Sequence, residues 1–187
     1  MISYKQSRNI LRKSKIIIGN EILKSANCLN RVSASNIYCK VDNPLGNNSA
    51  FDGYAINSMD TKNLSKKKNR LFKILGTIAA GDKPLNKKIK KFQTLEIMTG
   101  GMIPKGFDTI IPIEQIVFYP NKRKPEHIVI DKKIKKYQYI RFKGSDYKKN
   151  DLLIKKGTIL QPRHVLALKT LGIKFIKVKK KPNILFF

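Results

Sequence analysis

Tryptophan is absent from these 187 residues, histidine and cysteine occur twice each, and acidic side chains number 12 against 40 basic ones. The scarcity excludes several chemistries. Neither His127 nor His164 has an acid and a nucleophile at a matching spacing, so both read as structural histidines rather than members of a Ser-His-Asp or Cys-His scheme. Cys28 and Cys39 are too few for a disulfide framework and lack a metal-ligand spacing. They read as buried or half-buried free thiols of a cytoplasmic protein. No zinc spacing exists. No apolar run approaches the ~20 residues that span a bilayer. The N-terminal "MISYKQSRNILRKSK" lacks the apolar stretch of a signal peptide, so no membrane partner is expected.

The excess is of lysine, with 33 Lys and 7 Arg giving a net charge of +28. These cations are scattered, and short clusters such as Lys66-Lys67-Lys68, Lys132-Lys133 and Lys179-Lys180-Lys181 sit between apolar stretches, as solvated loops do. Heavy use of Lys, Asn and Ile together is what AT-rich coding produces without selection for binding. Base readout and phosphate clamping favour arginine, and base stacking favours clustered aromatics; the sequence shows neither. Non-specific, salt-sensitive adhesion to polyanions is expected all the same.

Periodicity predicts an amphipathic helix over 4–18, with Ser3 as its N-cap and Gly19-Asn20 as its end. Beyond residue 60 the pattern is mainly strand and turn. "RLFKILGTIA", "TLEIMTG", "DTIIPIEQIVFY", "HIVID", "YIRF" and "LLIKKGTIL" are separated by glycine- and proline-bearing punctuation. "PRHVLALKTLG" is the convincing later helix, with Pro162 near its start and Gly172 as its stop. The fold class is mostly β with a few helices (α+β). "NILFF", at the end of the sequence, reads as an apolar strand awaiting a partner.

Candidate chemistry lies at turns. "GTIAAGDK" approaches a phosphate-binding loop, but Asp82 occupies the slot that needs Lys, so it reads as a turn. Asp52, in "NNSAFDGYA", is either a simple Asp-Gly turn residue or a carboxylate presented to chemistry. Thr99-Gly100-Gly101 closes a strand, where successive small residues can aim backbone N–H groups at an oxyanion. Asp108 and Glu114 flank "TIIPI", and Arg141 and Asp146 share "RFKGSD". Each also has a plain structural reading as a turn or strand-end residue.

Taken in order, "NNSAFDGYA", "GTIAAGD", "LEIMTGGMIPKGFDTIIPIEQ", "YIRFKGSDYKKNDLLIKKGTIL" and "LALKTLGIKFIKVKKKPNILFF" closely resemble the molybdopterin molybdenumtransferase family, to which the gephyrin E domain belongs. The family carries S-A-M-D-G-Y-A, A-G-x, I-M-T-G-A-x-x-P-x-G-x-D, R-x-x-G-E-D and A-x-L-G-I segments in the same order, and "CLNRV" stands where it has A-L-G-R-V.

The resemblance implies insertion of molybdate into adenylylated molybdopterin with release of AMP, a divalent cation such as Mg2+, and a homodimer whose active site combines two subunits. It implies an elongated, bifurcated β-sheet region with a small β-barrel-like domain, stopping before an α/β pterin-binding domain. The implied partition is a helical segment over 1–28 and a discontinuous linker β domain from 29–45 and 141–181. A β-rich domain over 46–140 is inserted in it, and 182–187 begins the missing domain. Asp52 and Asp146 would be catalytic, with Asp52 also the candidate metal ligand. Gly53, Thr99, Gly100, Gly101 and Arg141 would border the anionic substrate. This chain departs from the family at Ser145 in place of Glu, at Gly101 in place of Ala and at Phe51 in place of Met. A basic polyanion-binding module, or an inactive remnant keeping the β scaffold, is the alternative reading.

Overall fold

A computed structural model describes residues 1–14, 17–83 and 88–185. In chain order they form α1 (Tyr4–Lys13), β1 (Asn20–Lys24), β2 (Ile37–Tyr38), β3 (Asn48–Ser49), β4 (Gly53–Ile56), β5 (Arg70–Ile78) and β6 (Gln93–Ile97). There follow β7 (Thr109–Pro112), β8 (Val117–Tyr119), β9 (His127–Ile130), β10 (Ile140–Arg141), β11 (Leu152–Ile154), α2 (Pro162–Thr170) and β12 (Phe175–Lys179). Short 3-10 turns occupy Ser25–Asn27, Ser58–Thr61 and Ile113–Gln115. The described residues are therefore mostly β with two α-helices.

Helix ends follow their local chemistry. Ser3 caps α1 reciprocally: its Oγ accepts from the Gln6 N–H at 3.3 Å, and Gln6 Oε1 accepts from the Ser3 N–H at 2.8 Å. The helix stops at Lys13 rather than running to residue 18. Ser14 is already extended (φ −67°, ψ 115°), and its hydroxyl donates back to the Ile10 carbonyl at 3.0 Å. A β-branched Ile-Ile-Ile run comes next in the sequence and disfavours continuation. Gly19-Asn20 thus leads into β1 instead of ending a helix; positions 15 and 16 of the expected helix lie outside the described residues. In α2 the signals hold as read, with Pro162 in the first turn and Gly172 just past the end at φ +66°. His164 accepts the Gln161 N–H on Nδ1 at 3.0 Å, a capping role that accounts for this histidine. The expected strand "NILFF" is not formed through Leu185, and Phe186 and Phe187 lie outside the described residues.

The chain packs as two units, residues 1–40 with 149–187 and residues 41–148. In the first, β1 pairs antiparallel with β12 from Asn20↔Lys179 to Lys24↔Phe175, and β2 pairs antiparallel with β11. Cys28, Cys39, Ile154, Leu160, Leu168, Ile176 and Val178 are buried there. Both thiols are free, as the sequence reading expects.

The second unit holds a six-stranded sheet in the order β7-β4-β6-β5-β9-β8, antiparallel except between β5 and β6. All four residues of β4 and of β7 are buried. Side chains alternate between faces, so Tyr54, Ile56 and Ile111 enter one core and Ala55 and Ile110 the other. Burial on both faces is why these strands read as continuous apolar runs. The stretch "DTIIPIEQIVFY" is two strands, not one: Pro112 ends β7, the turn Ile113–Gln115 follows, and β8 pairs at the opposite edge of the sheet. A separate pair, β3 with β10, carries much of the candidate site.

The boundaries at 40/41 and 148/149 lie outside the 45/46 and 140/141 expected from the resemblance. The flanks are tied to the inserted unit: Asn43 bridges Tyr147, and the Lys143 ammonium meets the Asp42 carboxylate at 3.3 Å.

Candidate functional site

Asp52 immediately precedes β4, and Thr99 follows the C-terminal end of β6 two residues on. Antiparallel pairing of Gly53 with Ile97 brings the two together. The Thr99 N–H donates to Asp52 Oδ1 at 2.6 Å, and the Thr99 hydroxyl donates to the same oxygen at 2.7 Å. Among the described residues Oδ2 accepts no hydrogen bond. Donation first from the Thr99 N–H and then from its hydroxyl favours the anion and holds the exposed carboxyl below its ordinary range. The Asp52 carbonyl accepts the Ile113 N–H at 3.0 Å, fixing the turn from its backbone side as well.

Gly53 allows this arrangement by lacking a side chain. A Cβ there would lie 2.1 Å from the Ile111 carbonyl oxygen of β7. The residue is buried within β4, and close strand approach accounts for it, whatever else it borders.

The Thr-Gly-Gly turn behaves otherwise than its sequence suggests. Its three amides are already engaged: Thr99 N–H with Asp52, Gly100 N–H with the Ser49 carbonyl at 2.9 Å, and Gly101 N–H with the Met98 carbonyl at 2.8 Å. They form no free anion nest. Gly100, at φ +83°, supplies the left-handed step that lets the chain reach back to Ser49. Gly101 packs so closely that a Cβ would meet Ile97 Cγ1 and the Met98 carbonyl oxygen at 2.9 Å each.

β3 joins this turn to the second group of predicted residues. Along one side the Ser49 N–H donates to the Gly101 carbonyl at 3.0 Å; along the other, Ser49 and Asn48 pair with Ile140 and Arg141 of β10. Arg141 Nη2 is engaged by the Asp146 carboxylate, whose Oδ2 also accepts from Asn43 Nδ2 at 3.3 Å. Ser145, where the family has Glu, approaches Asp146 Oδ1 with its hydroxyl at 3.5 Å. Among the described residues no hydrogen bond or ion pair links the Asp52–Thr99 pair to the Arg141–Asp146 pair.

The local charge therefore differs from a cationic cradle. Arg141 and Lys143 are each matched by an acid, whereas Asp52 faces no cation within ion-pair distance among the described residues. Asn48 Oδ1, on β3 between the two pairs, is buried without a hydrogen-bond partner among the described residues. An open carboxylate oxygen and a buried orphan acceptor suit a cation better than an anion. Among the described residues no three His, Cys, Asp or Glu side chains converge on a metal site. Mg2+ commonly takes only one or two protein carboxylates, with substrate phosphates and water completing the shell. Asp52 fits that donor set as one such ligand.

Other residues prove structural. Asp108 accepts the Ser58 N–H at 2.7 Å and the Ser58 hydroxyl at 2.9 Å, capping the turn after β4. Asp82 accepts the Ala79 N–H at 2.8 Å, a turn as its sequence predicts. Asparagines were missed as framing residues: Asn43 binds Asp146, and Asn47 Oδ1 accepts the Lys143 N–H at 2.9 Å. The signal was available in the cluster of Asn and Gly around 43–48, a composition suited to side chain-to-backbone bonding.

The model of the family described as MoeA N-terminal region (domain I and II) matches residues 2–172. A molybdopterin molybdenumtransferase of Staphylococcus aureus (strain Mu50) is 31% identical over 156 residues, covering 83% of this chain and 36% of that protein. One of Staphylococcus epidermidis (strain RP62A) is 28% identical over 183 residues, covering 98% of this chain and 42% of that protein. Among solved structures, a MoeA molybdopterin biosynthesis protein of Pyrococcus horikoshii is similar with a TM-score of 0.83 and 30% identity, over 97% of this chain and 45% of that one. The chain thus spans less than half the length of each of these relatives.

Proposed function

The chain belongs to the MoeA N-terminal region family, and from that membership we propose that it is the N-terminal part of a molybdopterin molybdenumtransferase. Its reaction is transfer of molybdate into adenylylated molybdopterin with release of AMP, in a homodimer whose site needs groups beyond those of one such chain. The observation that carries the reading is the Asp52 carboxylate, held anionic by Thr99 through Oδ1 with Oδ2 open.

Asp52 would hold a divalent cation through that open oxygen. Such a cation, when bound, offsets the negative charges that pyrophosphate and molybdate bring together. Thr99 orients Asp52 and keeps it ionised. Gly53, Gly100 and Gly101 let the three strands approach closely enough to place it. Arg141 offers the unused part of its guanidinium fork to a phosphate or molybdate oxygen, with Asp146 fixing its orientation. Preorganised donors of this kind stabilise developing charge without reorganising.

The test supplies the 187-residue chain with adenylylated molybdopterin, molybdate and Mg2+ and follows ligand binding and AMP release. Mg2+-dependent binding of the adenylylated substrate, weakened at least tenfold in Asp52→Asn and without turnover, is expected. Unchanged binding in Asp52→Asn removes the role given to that carboxylate. Full turnover by the chain alone removes the claim that its site is completed elsewhere.

A further inference from the structure

Beside the turn that carries Asp52, the segment 131–143 of the second unit gathers cations and exposed rings. Ile134 anchors it: its side chain is buried, its N–H donates to Thr61 Oγ1 at 2.9 Å, and the neighbouring Lys135 carbonyl accepts from Thr109 Oγ1 at 3.0 Å. Lys132, Lys133, Lys135 and Lys136 flank this anchor and are exposed. Lys62, Lys133, Lys135 and Lys136 border a cavity of about 450 Å³ with Met59. Lys132, Lys133 and Lys135 border an adjoining one of about 260 Å³ with Tyr139. Among the described residues none of these five lysines forms an ion pair.

The rings beside them are held in an unusual way. Tyr137 and Tyr139 both have positive φ, +66° and +55°, a backbone state that a bulky residue keeps only where its surroundings impose it. Here they do: Tyr137 N–H donates to the Asp108 carbonyl, Gln138 N–H to Thr109 Oγ1, and Ala50 N–H to the Tyr139 carbonyl, at 2.9, 3.0 and 3.0 Å. The result is a rigid display. Tyr137 and Phe142 lie edge to face at 5.5 Å between centroids, 52% and 43% exposed. Tyr139 meets Phe51 in the same way at 5.0 Å. The Lys136 ammonium sits 4.6 Å from the Tyr137 ring centre. Tyr137, Tyr139 and Phe142 lie together in the lysine-rich stretch 132–143, and only Phe51 is brought to them from elsewhere in the chain.

We propose that this ridge is a docking surface for single-stranded nucleic acid, independent of the molybdopterin reading. Unpaired ammonium groups suit a phosphodiester backbone, and exposed, prepositioned rings suit unstacked bases. The cations that line its cavities are lysines in place of bidentate arginine forks, so binding tolerates any sequence.

The test measures anisotropy of a labelled uridine oligomer of about 12 nucleotides at ~50 and ~200 mM salt, with heparin as a polyanion lacking bases. Tyr137→Leu and Phe142→Leu, checked for native circular dichroism, each weaken oligomer binding at the higher salt roughly tenfold while leaving heparin within about twofold. Phe142 has an ordinary backbone, so its variant keeps the test decisive if Tyr137→Leu does not fold. Lys133→Ala with Lys135→Ala weakens both ligands, and Lys180→Ala with Lys181→Ala weakens neither selectively. Oligomer affinity unchanged by either ring variant, or lost in parallel with heparin, overturns the proposal. So does equal displacement by an acidic peptide of matched charge, which assigns the surface to a protein.

Discussion

At the scale of single residues, Asp52 shows how two hydrogen bonds can set a charge without burial. Both Thr99 donors converge on one oxygen and favour the ionised form, so the carboxyl titrates below its ordinary range. Thr99→Val removes the hydroxyl and keeps the amide. The Asp52 pKa then rises part of the way toward the ordinary value, read from the pH dependence of its side-chain carbonyl resonance by NMR; no movement would mean that the hydroxyl contributes nothing. Any stability gained from the depressed pKa is present above the ordinary carboxylate range and is lost as pH falls through the folded value. Thr99→Val accordingly narrows the acid limb of the stability profile only slightly, since the group is exposed. Tyr54 is the opposite case. Burial first and the nearby Glu96 charge second push its hydroxyl up to about 12.

At the scale of elements, the site depends on how closely β7, β4 and β6 approach. Gly53→Ala places a methyl group 2.1 Å from a backbone oxygen of β7, which no rotamer change relieves. It is expected to cost at least ~2 kcal/mol, as overpacking does, seen as a lower urea midpoint at unchanged slope. A midpoint within error of the parent would show that the strands part easily. Sequence made Asp52-Gly53 legible as a turn and left open what it serves. The partner, Thr99, lies 46 residues away from Gly53 along the chain, and only the β4–β6 register brings it to Asp52. Likewise the Thr-Gly-Gly composition suggests free amides, but whether an amide is free depends on which carbonyl faces it. Helix α2 was readable in full because Pro162 and Gly172 are local signals. Helix α1 was over-read because apolar spacing continued past Ser14, where backbone bonding stopped.

At the scale of the whole molecule, the sequence carries a net charge of +28, and among the described residues several of the scarce acids are spent on turns and caps. Repulsion among the lysines then works against compactness and is screened by salt. The second unit should respond to alkali through Tyr54. The folded pKa is raised above the unfolded value of 10.0, so its contribution is fully present below that pH and is lost as pH rises toward about 12. Urea midpoints followed by far-ultraviolet circular dichroism should fall across that window in the parent and fall less in Tyr54→Phe. Equal slopes in both proteins would rule Tyr54 out as the cause.

The interrupted path of the chain through its first unit also sets an order of assembly. During synthesis β1 emerges early, yet its pairing partner β12 follows the entire second unit. At translation speeds of about 5–20 residues per second, β1 waits on the order of ten seconds without the neighbour it needs. The second unit draws its own ends together through Asn43 and Tyr147 as it folds. What the ribosome has made as a long excursion thereby becomes a short loop, and the entropy of closing it has been met before β12 arrives.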